Sequence, residues 1–326
     1  MNVPEALVIT RPDIARVMRP QDWLDAAETA FRAAADGRAH SPDPLHLPMV
    51  RGAFHAKGAS FALDRTYVAV KVNGNFPGNP AELGLPTVQG AIILADGGNG
   101  VLLAILDSAE VTLRRTAAAS ALAARLLAKP DSAALLVCGC GEQGRAHVDA
   151  MREVLPLQRI LLWDRDADAA AKLAEAIDGT AVRDLHSASR IADVIACCTS
   201  AREPFLDASM VAPGSFIAAV GADNPDKNEI APELMAASTV IADSVRQCAA
   251  MGDLRHALSA GLMNEADVRA ELPDVLAGEP GRLSDREIII LDSTGMGLQD
   301  VAASAAIYER CLSAGLGQRA SLGGLD

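Results

Sequence analysis

Two kinds of hydrophobic spacing divide the chain. Over Pro20 to Asp36, residues Trp23, Ala27, Ala30, Phe31 and Ala34 recur at helical spacing, and Gly37 is placed to end the helix. Short β-type runs follow at Ala53-Phe54-His55-Ala56 and Tyr67-Val68-Ala69-Val70-Lys71, then a loop rich in Gly, Pro and Asn from Gly74 to Pro86. Gly90 to Ala95 and Val101 to Leu106 read as strands joined by the turn Asp96-Gly97-Gly98-Asn99-Gly100. The first hundred or so residues are therefore expected to form a small α+β unit. Val111 to Lys129 reads as a helix that Pro130 ends. Beyond it, short apolar strands alternate with helices. Strands are expected at Leu135 to Cys138, Arg159 to Trp163, Val194 to Cys198, Ser215 to Val220, Thr239 to Ala242 and Glu287 to Leu291, with helices at Glu142 to Val154 and Asp166 to Ile177. Strands of this kind, buried on both faces, predict a parallel sheet. Gln299 to Gly315 is a last helix that returns the chain to the first unit. The expected fold is thus α/β: residues 118–300 form a Rossmann dinucleotide-binding domain. Residues 1–117 with 301–326 form a smaller α+β domain for substrate binding and dimerisation.

Composition narrows the function. The chain has 326 residues, half of them hydrophobic but only 3% aromatic, so its packing is mostly aliphatic. A formal net charge of −13 and the lack of Lys/Arg clusters argue against a nucleic-acid partner. No apolar run has the length of a membrane span, and Met1 to Arg11 lacks a signal peptide's basic-then-apolar order, so the expected location is the cytoplasm. Six cysteines are too few for a disulfide scaffold, and Cys138/Cys140 and Cys197/Cys198 have no zinc-ligand spacing. Cys138, Cys197 and Cys198 end apolar runs and read as small buried side chains in strands, and no metal is expected.

The strongest motif is Gly139-Cys140-Gly141-Glu142-Gln143-Gly144, which follows a strand and opens a helix. Gly139 permits a tight turn, Gly141 lets the backbone approach a pyrophosphate, and Gly144 lets helix and strand pack closely. The helix N-terminus at Glu142 and Gln143 offers free N–H groups and a partial positive charge to phosphates. Asp164 ends the next strand, where an acidic residue takes the ribose hydroxyls of NAD and repels a 2′-phosphate. Arg165, beside it, would pair with such a phosphate. NAD is the expected cofactor, with NADP as the alternative.

The run from Leu106 to Ser120, with Thr112-Leu113-Arg114-Arg115-Thr116 at its centre, resembles the ornithine cyclodeaminase/mu-crystallin family when taken with the glycine turn. So do Lys71 before Val72-Asn73-Gly74, Val220-Gly221-Ala222-Asp223 with Lys227 and Glu229, and Ser293-Thr294-Gly295 with Gln299-Asp300-Val301. The resemblance implies a homodimer of two-domain subunits that moves hydride between nicotinamide and the α-carbon of an α-amino or α-imino acid. It implies that Arg115 holds the substrate α-carboxylate. Lys71 is implied to hold that carboxylate or to move a proton, with its pKa lowered by the nearby Arg charge. Asp223 would meet the substrate nitrogen. Thr199, Ser200, Val220, Gly221, Ser293, Thr294 and Gly295 would line the cofactor. The cyclodeaminase pattern has a Glu where this chain has His55, and Lys57 adds a cation close by. A substrate with a cationic side chain would meet no anion there. The expected activity is therefore that of an NAD(P)-dependent amino-acid dehydrogenase or imine/ketimine reductase, with ornithine cyclodeaminase as the alternative.

Overall fold

The computed structural model describes residues 5–322. The expected first domain includes residues 1–4 and 323–326, which lie outside the described residues. By compactness the chain divides into two units, one running to Arg115 and resuming at Met296, the other spanning Thr116–Gly295.

In the first unit, β1 (Glu5–Ile9), β2 (Ala39–His40), β3 (Leu45–Met49), β4 (Gly52–Ala62), β5 (Thr66–Asn75), β6 (Val88–Asp96), β7 (Leu102–Asp107) and a last strand Gln318–Ser321 form one sheet. Its order is last strand–β1–β7–β6–β5–β4–β2, with β3 also paired to β4. All pairings are antiparallel except β1 with β7. Period-two alternation gives each strand an inner and an outer face. Phe61, Tyr67, Ala69, Ile92, Leu94 and Leu106 are buried on the inner face. Two helices contribute the facing core: Pro20–Ala35 through Trp23, Leu24, Ala30 and Phe31, and Gly297–Ala314 through Val301, Ala305 and Ile307. Pro20 suits the first helical position, and the Asp22 carboxylate accepts from the Arg19 N–H at 2.8 Å, which fixes where the first of these helices begins. A Cβ on Gly297 would lie 2.8 Å from the Gly58 carbonyl oxygen, so glycine lets the second helix start against β4. The outer face is different. Leu45, Leu47, Phe54, Val70, Val72 and Ile93 share it and are all exposed.

β4 runs over eleven residues, where the sequence pattern predicts a strand of only four, and this places His55 and Lys57 on the same face. β3 contains Pro48, which an outlying strand paired only to β4 tolerates.

The second unit carries β8 (Ala134–Cys138), β9 (Arg159–Trp163), β10 (Thr180–Ala181), β11 (Val194–Cys197), β12 (Phe216–Ala219), β13 (Thr239–Ala242), β14 (Ala270–Glu271) and β15 (Ile289–Asp292). They form a sheet in the order β10-β9-β8-β11-β12-β15-β13-β14, and every pairing is parallel. The chain leaves β8 towards β9 and β10, then returns to β11 on the other side. The crevice outside β8 and β11 is therefore the topological switch point where such sheets bind ligands. Leu136, Cys138, Ile195, Cys197, Ile217, Ile290 and their neighbours make the core. The six cysteines are free thiols: Cys138, Cys140, Cys197, Cys248 and Cys311 are buried and Cys198 is half-buried. Among the described residues no helix is long and apolar enough to cross a membrane.

Candidate active site

Sheet register sets the first group of residues. Lys57 on β4 stands opposite Lys71 on β5, and His55 stands opposite Asn73 in the adjacent inner-face row. The register places His46 on β3 across from His55, and their Nδ1 atoms are 3.3 Å apart. Asn73 connects this face to the helix Ser108–Leu127: its side-chain amide donates to Thr112 Oγ1 at 3.4 Å and its oxygen accepts from Ser108 Oγ at 2.5 Å. That helix turns Val111, Leu113 and Arg115 inwards, while Arg114 pairs with Glu110 one turn earlier at 3.0 Å.

Asp300 joins the cations. It lies in the first turn of Gly297–Ala314, where the helix dipole favours a carboxylate, and it is 1% exposed. Its carboxylate meets Lys71 Nζ at 2.7 Å and Arg115 Nε at 3.1 Å, and Gln299 Oε1 accepts from the Arg115 guanidinium at 2.6 Å. Lys71 and Arg115 are 4% and 6% exposed, so two cations and one carboxylate are buried together with a surplus positive charge. Burial pushes the Lys71 ammonium down to about 7; Asp300 opposes that shift, and Arg115 and Lys57 add to it. The expected cause, like charge from the arginine, is thus secondary to desolvation. Lys71 and Arg115, together with Lys57, hold the Asp300 carboxyl below its ordinary value despite its burial. Asp300 was legible only as part of a motif; nothing in the sequence pairs it with Lys71.

In the second unit the glycine turn has the geometry its spacing predicts. Gly139 has φ +100°, open to glycine. A Cβ on Gly144 would lie 2.0 Å from the Gly139 carbonyl oxygen and 3.1 Å from the Val137 side chain. A Cβ on Gly141 would meet nothing within 4 Å, which leaves an open cradle over the N-terminus of the helix Glu142–Arg152. Gly141 supplies no side-chain cap there. Asp164, half-buried just past β9, accepts from the Cys140 N–H at 2.7 Å and the Asp166 N–H at 2.9 Å, so it braces the turn as well as facing outwards; Arg165 is exposed. Midway along the helix Glu142–Arg152, buried His147 is anchored between the Gln143 carbonyl and Ser120 Oγ, and burial lowers its pKa to about 4.

The remaining expected cofactor residues sit at the carboxyl ends of neighbouring strands: Thr199 and Ser200 after β11, Val220 and Gly221 after β12, and Ser293, Thr294 and Gly295 after β15. The Ser293 hydroxyl donates to Asp243 at 2.8 Å, and the Gly295 N–H donates to the same oxygen at 2.7 Å. Asp223 lies in the turn beyond Gly221, about half exposed and ion-paired to Lys227 at 2.7 Å. The structure therefore gathers Lys57, Lys71 and Arg115, with His55 one row away, in the first unit. Asp223 and the cofactor residues belong to the second.

A Rossmann sheet with an open glycine cradle, and a buried Lys–Asp–Arg group on a separate α+β unit, define a dinucleotide-binding protein of two-unit design. A profile of the ornithine cyclodeaminase/mu-crystallin family matches residues 5–315, and the chain belongs to that family. It is 33% identical over 320 residues to an alanine dehydrogenase of Archaeoglobus fulgidus, covering 97% of this chain and 98% of that protein. A solved archaeal alanine dehydrogenase dimer with bound NAD superposes with a TM-score of 0.92 at 34% identity, covering 97% and 99% of the two chains. The Δ1-pyrroline-2-carboxylate reductase of Thermococcus litoralis, solved with NADH and L-proline, gives a TM-score of 0.91 at 27% identity over 96% and 99%.

Proposed function

We propose that this chain is an NAD-dependent oxidoreductase acting on the CH–NH bond of an α-amino or α-imino acid, as an amino-acid dehydrogenase or an imine reductase. The observation that carries this reading is the buried Lys71–Asp300–Arg115 group in a chain of this family. Its surplus positive charge is one that a substrate carboxylate neutralises. Asp300 and Gln299 hold the Arg115 guanidinium through Nε and one terminal nitrogen, fixing its plane for a carboxylate on its remaining donors. That contact orients the α-carbon.

When bound, NADH supplies the hydride for the imine carbon. Lys71, poised near neutrality, gives a proton to the substrate nitrogen and takes it back in the oxidative direction. Asp223 holds the cationic nitrogen. The open space at Gly141 and the uncapped helix end take the pyrophosphate, and Asp164 takes the adenosine ribose. Asp164 also favours NAD over NADP, since its carboxylate repels a 2′-phosphate. Lys57 and His55 flank the substrate position and disfavour a cationic side chain such as ornithine's. This argues for the redox reading over the cyclodeaminase one. The uncovered apolar face carrying Val70, Val72 and Ile93 fits a second copy of the chain, giving a homodimer.

Arg115→Ala tests the reading. Turnover is expected to fall by about 10²–10³ while NADH affinity holds. Undiminished kcat/KM would remove Arg115 from the carboxylate site.

A further inference from the structure

The second unit contains a buried carboxylate that touches two of the cofactor-edge loops at once. Glu229 is fully buried. Its Oε1 accepts from the Thr199 N–H at 2.6 Å and the Thr199 hydroxyl at 2.7 Å, and its Oε2 accepts from the Gly221 N–H at 2.8 Å. Thr199 follows β11 and Gly221 follows β12, so one side chain ties together the exits of two adjacent parallel strands. The fit is close: a Cβ on Gly221 would lie 2.5 Å from the Glu229 carboxyl and 2.4 Å from the Thr199 carbonyl oxygen. The Thr199 loop in turn backs the glycine turn, since a Cβ on Gly139 would lie 2.8 Å from the Cys198 carbonyl oxygen.

Glu229 is itself held. Asp253 Oδ1 accepts from the backbone N–H of Glu229 at 2.7 Å and of Ile230 at 3.0 Å. The Asp292 carboxylate, at the end of β15, accepts from the N–H groups of Asp253 at 3.3 Å and Leu254 at 2.8 Å. Each acid fixes the backbone that carries the next, from β15 to the exits of β12 and β11. Burying three carboxyls this close is costly: burial, with repulsion from Asp253, pushes Glu229 up to about 8, and burial pushes Asp253 up to about 6.

We infer that Glu229 is a positioning residue for the nicotinamide half of the cofactor, locking the Thr199 and Gly221 loops at one depth through its three hydrogen bonds. The inference rests on the dinucleotide reading above. In a doubly wound sheet β8, β9 and β10 serve one mononucleotide half, and β11, β12 and β15 the other. Glu229 acts only on the second half, whereas the glycine turn serves the pyrophosphate. Loss of Glu229 therefore displaces the ring without releasing the rest of the cofactor.

The test compares wild type and Glu229→Gln by kcat and by binding of NADH and of ADP-ribose, which lacks the nicotinamide. Gln keeps the volume and turns an amide N–H towards the Gly221 donor. The expected result is a loss of about tenfold to a hundredfold in kcat, with ADP-ribose affinity held within about threefold. Thr199→Val, which removes the hydroxyl's bond to Glu229 and the one it accepts from the Ala201 N–H at 3.1 Å but keeps the backbone bond to Glu229, is expected to give a smaller loss of the same pattern, and it decides the matter should Glu229→Gln not fold. Unchanged kcat in the variants would overturn the inference, as would ADP-ribose affinity falling in step with kcat, the mark of a purely structural role. A wild-type protein that binds neither NADH nor ADP-ribose would overturn the dinucleotide reading itself; a failure confined to the variants overturns only the role of Glu229.

Discussion

Asp300 and Lys71 meet at 2.7 Å in the interior of the first unit, and the same carboxylate reaches Arg115 at 3.1 Å. One anion thus holds two cations that would otherwise repel each other out of water. Burial brings the Lys71 pKa down to about 7 against the pull of that carboxylate, while Asp300 and Gln299 keep Arg115 in a fixed plane.

Removing that anion is expected to damage both stability and chemistry. Asp300→Asn leaves the buried Arg115 without its counter-ion and drives the Lys71 pKa lower still, which costs about 3–5 kcal/mol. Denaturant unfolding is expected to show this loss, and kcat is expected to fall by more than about a hundredfold in the folded fraction. Wild-type unfolding and kcat in Asp300→Asn would refute the shared-anion account.

The pH dependence has a definite sign. Lys71 is lowered to about 7, so it is protonated below that pH and neutral above it. With Lys71 in the proposed proton-donating role, imine reduction is expected to decline as pH rises through about 7, while amine oxidation gains over the same interval. The linkage to stability follows the same shift. Between about 7 and the ordinary lysine value of 10.5 the unfolded chain binds the extra proton, so Lys71 contributes stability that grows with pH across that window. Rate profiles in both directions check the first statement, and the difference between wild type and Lys71→Met in unfolding against pH checks the second.

The glycine turn offers a paired test. Gly141→Ala places its methyl in open space, so the protein is expected to fold normally and to bind NADH at least about tenfold more weakly, because the methyl occupies the phosphate cradle. Gly144→Ala drives a methyl into the Gly139 carbonyl and is expected to lower the melting temperature as well. Tight NADH binding by Gly141→Ala, read by nicotinamide fluorescence, would place the phosphates elsewhere.

Much of this was legible in the sequence, and the limits are physical. The parallel sheet was readable because strands buried on both faces appear as short apolar runs. The glycine turn was readable because each glycine meets a steric demand of its own. The run Ala6-Leu7-Val8-Ile9 gives little strand signal: β1 is only five residues long and opens on an exposed Glu5. Pro48 concealed β3, since proline normally breaks a strand and only an outlying position excuses it. The place of Lys57 on a strand face is not legible, because the alternation visible in the sequence covers only Ala53 to Ala56 of the eleven-residue β4. Asp300 with Lys71, and Glu229 with Asp253 and Asp292, depend on contacts between distant segments, and no local period encodes these.

The outer face of the first sheet predicts assembly. Val70→Asp puts a charge among exposed Val72, Phe54 and Ile93 without touching the inner face. It is expected to convert a dimer to a monomer in light scattering with little change in NADH affinity per chain. A wild-type monomer at every concentration would exclude the homodimer.

The most direct measurement is the absorbance of reduced nicotinamide with purified protein, NADH, ammonia or methylamine and a panel of α-keto acids and cyclic imines. Ornithine with NAD is followed alongside for ammonia and proline. Net oxidation of NADH by one keto acid or imine is the predicted result, and it names the substrate class at the same time. Conversion of ornithine to proline and ammonia with no net change in NADH would contradict the account, and would mean that His55 and Lys57 do not exclude a cationic side chain.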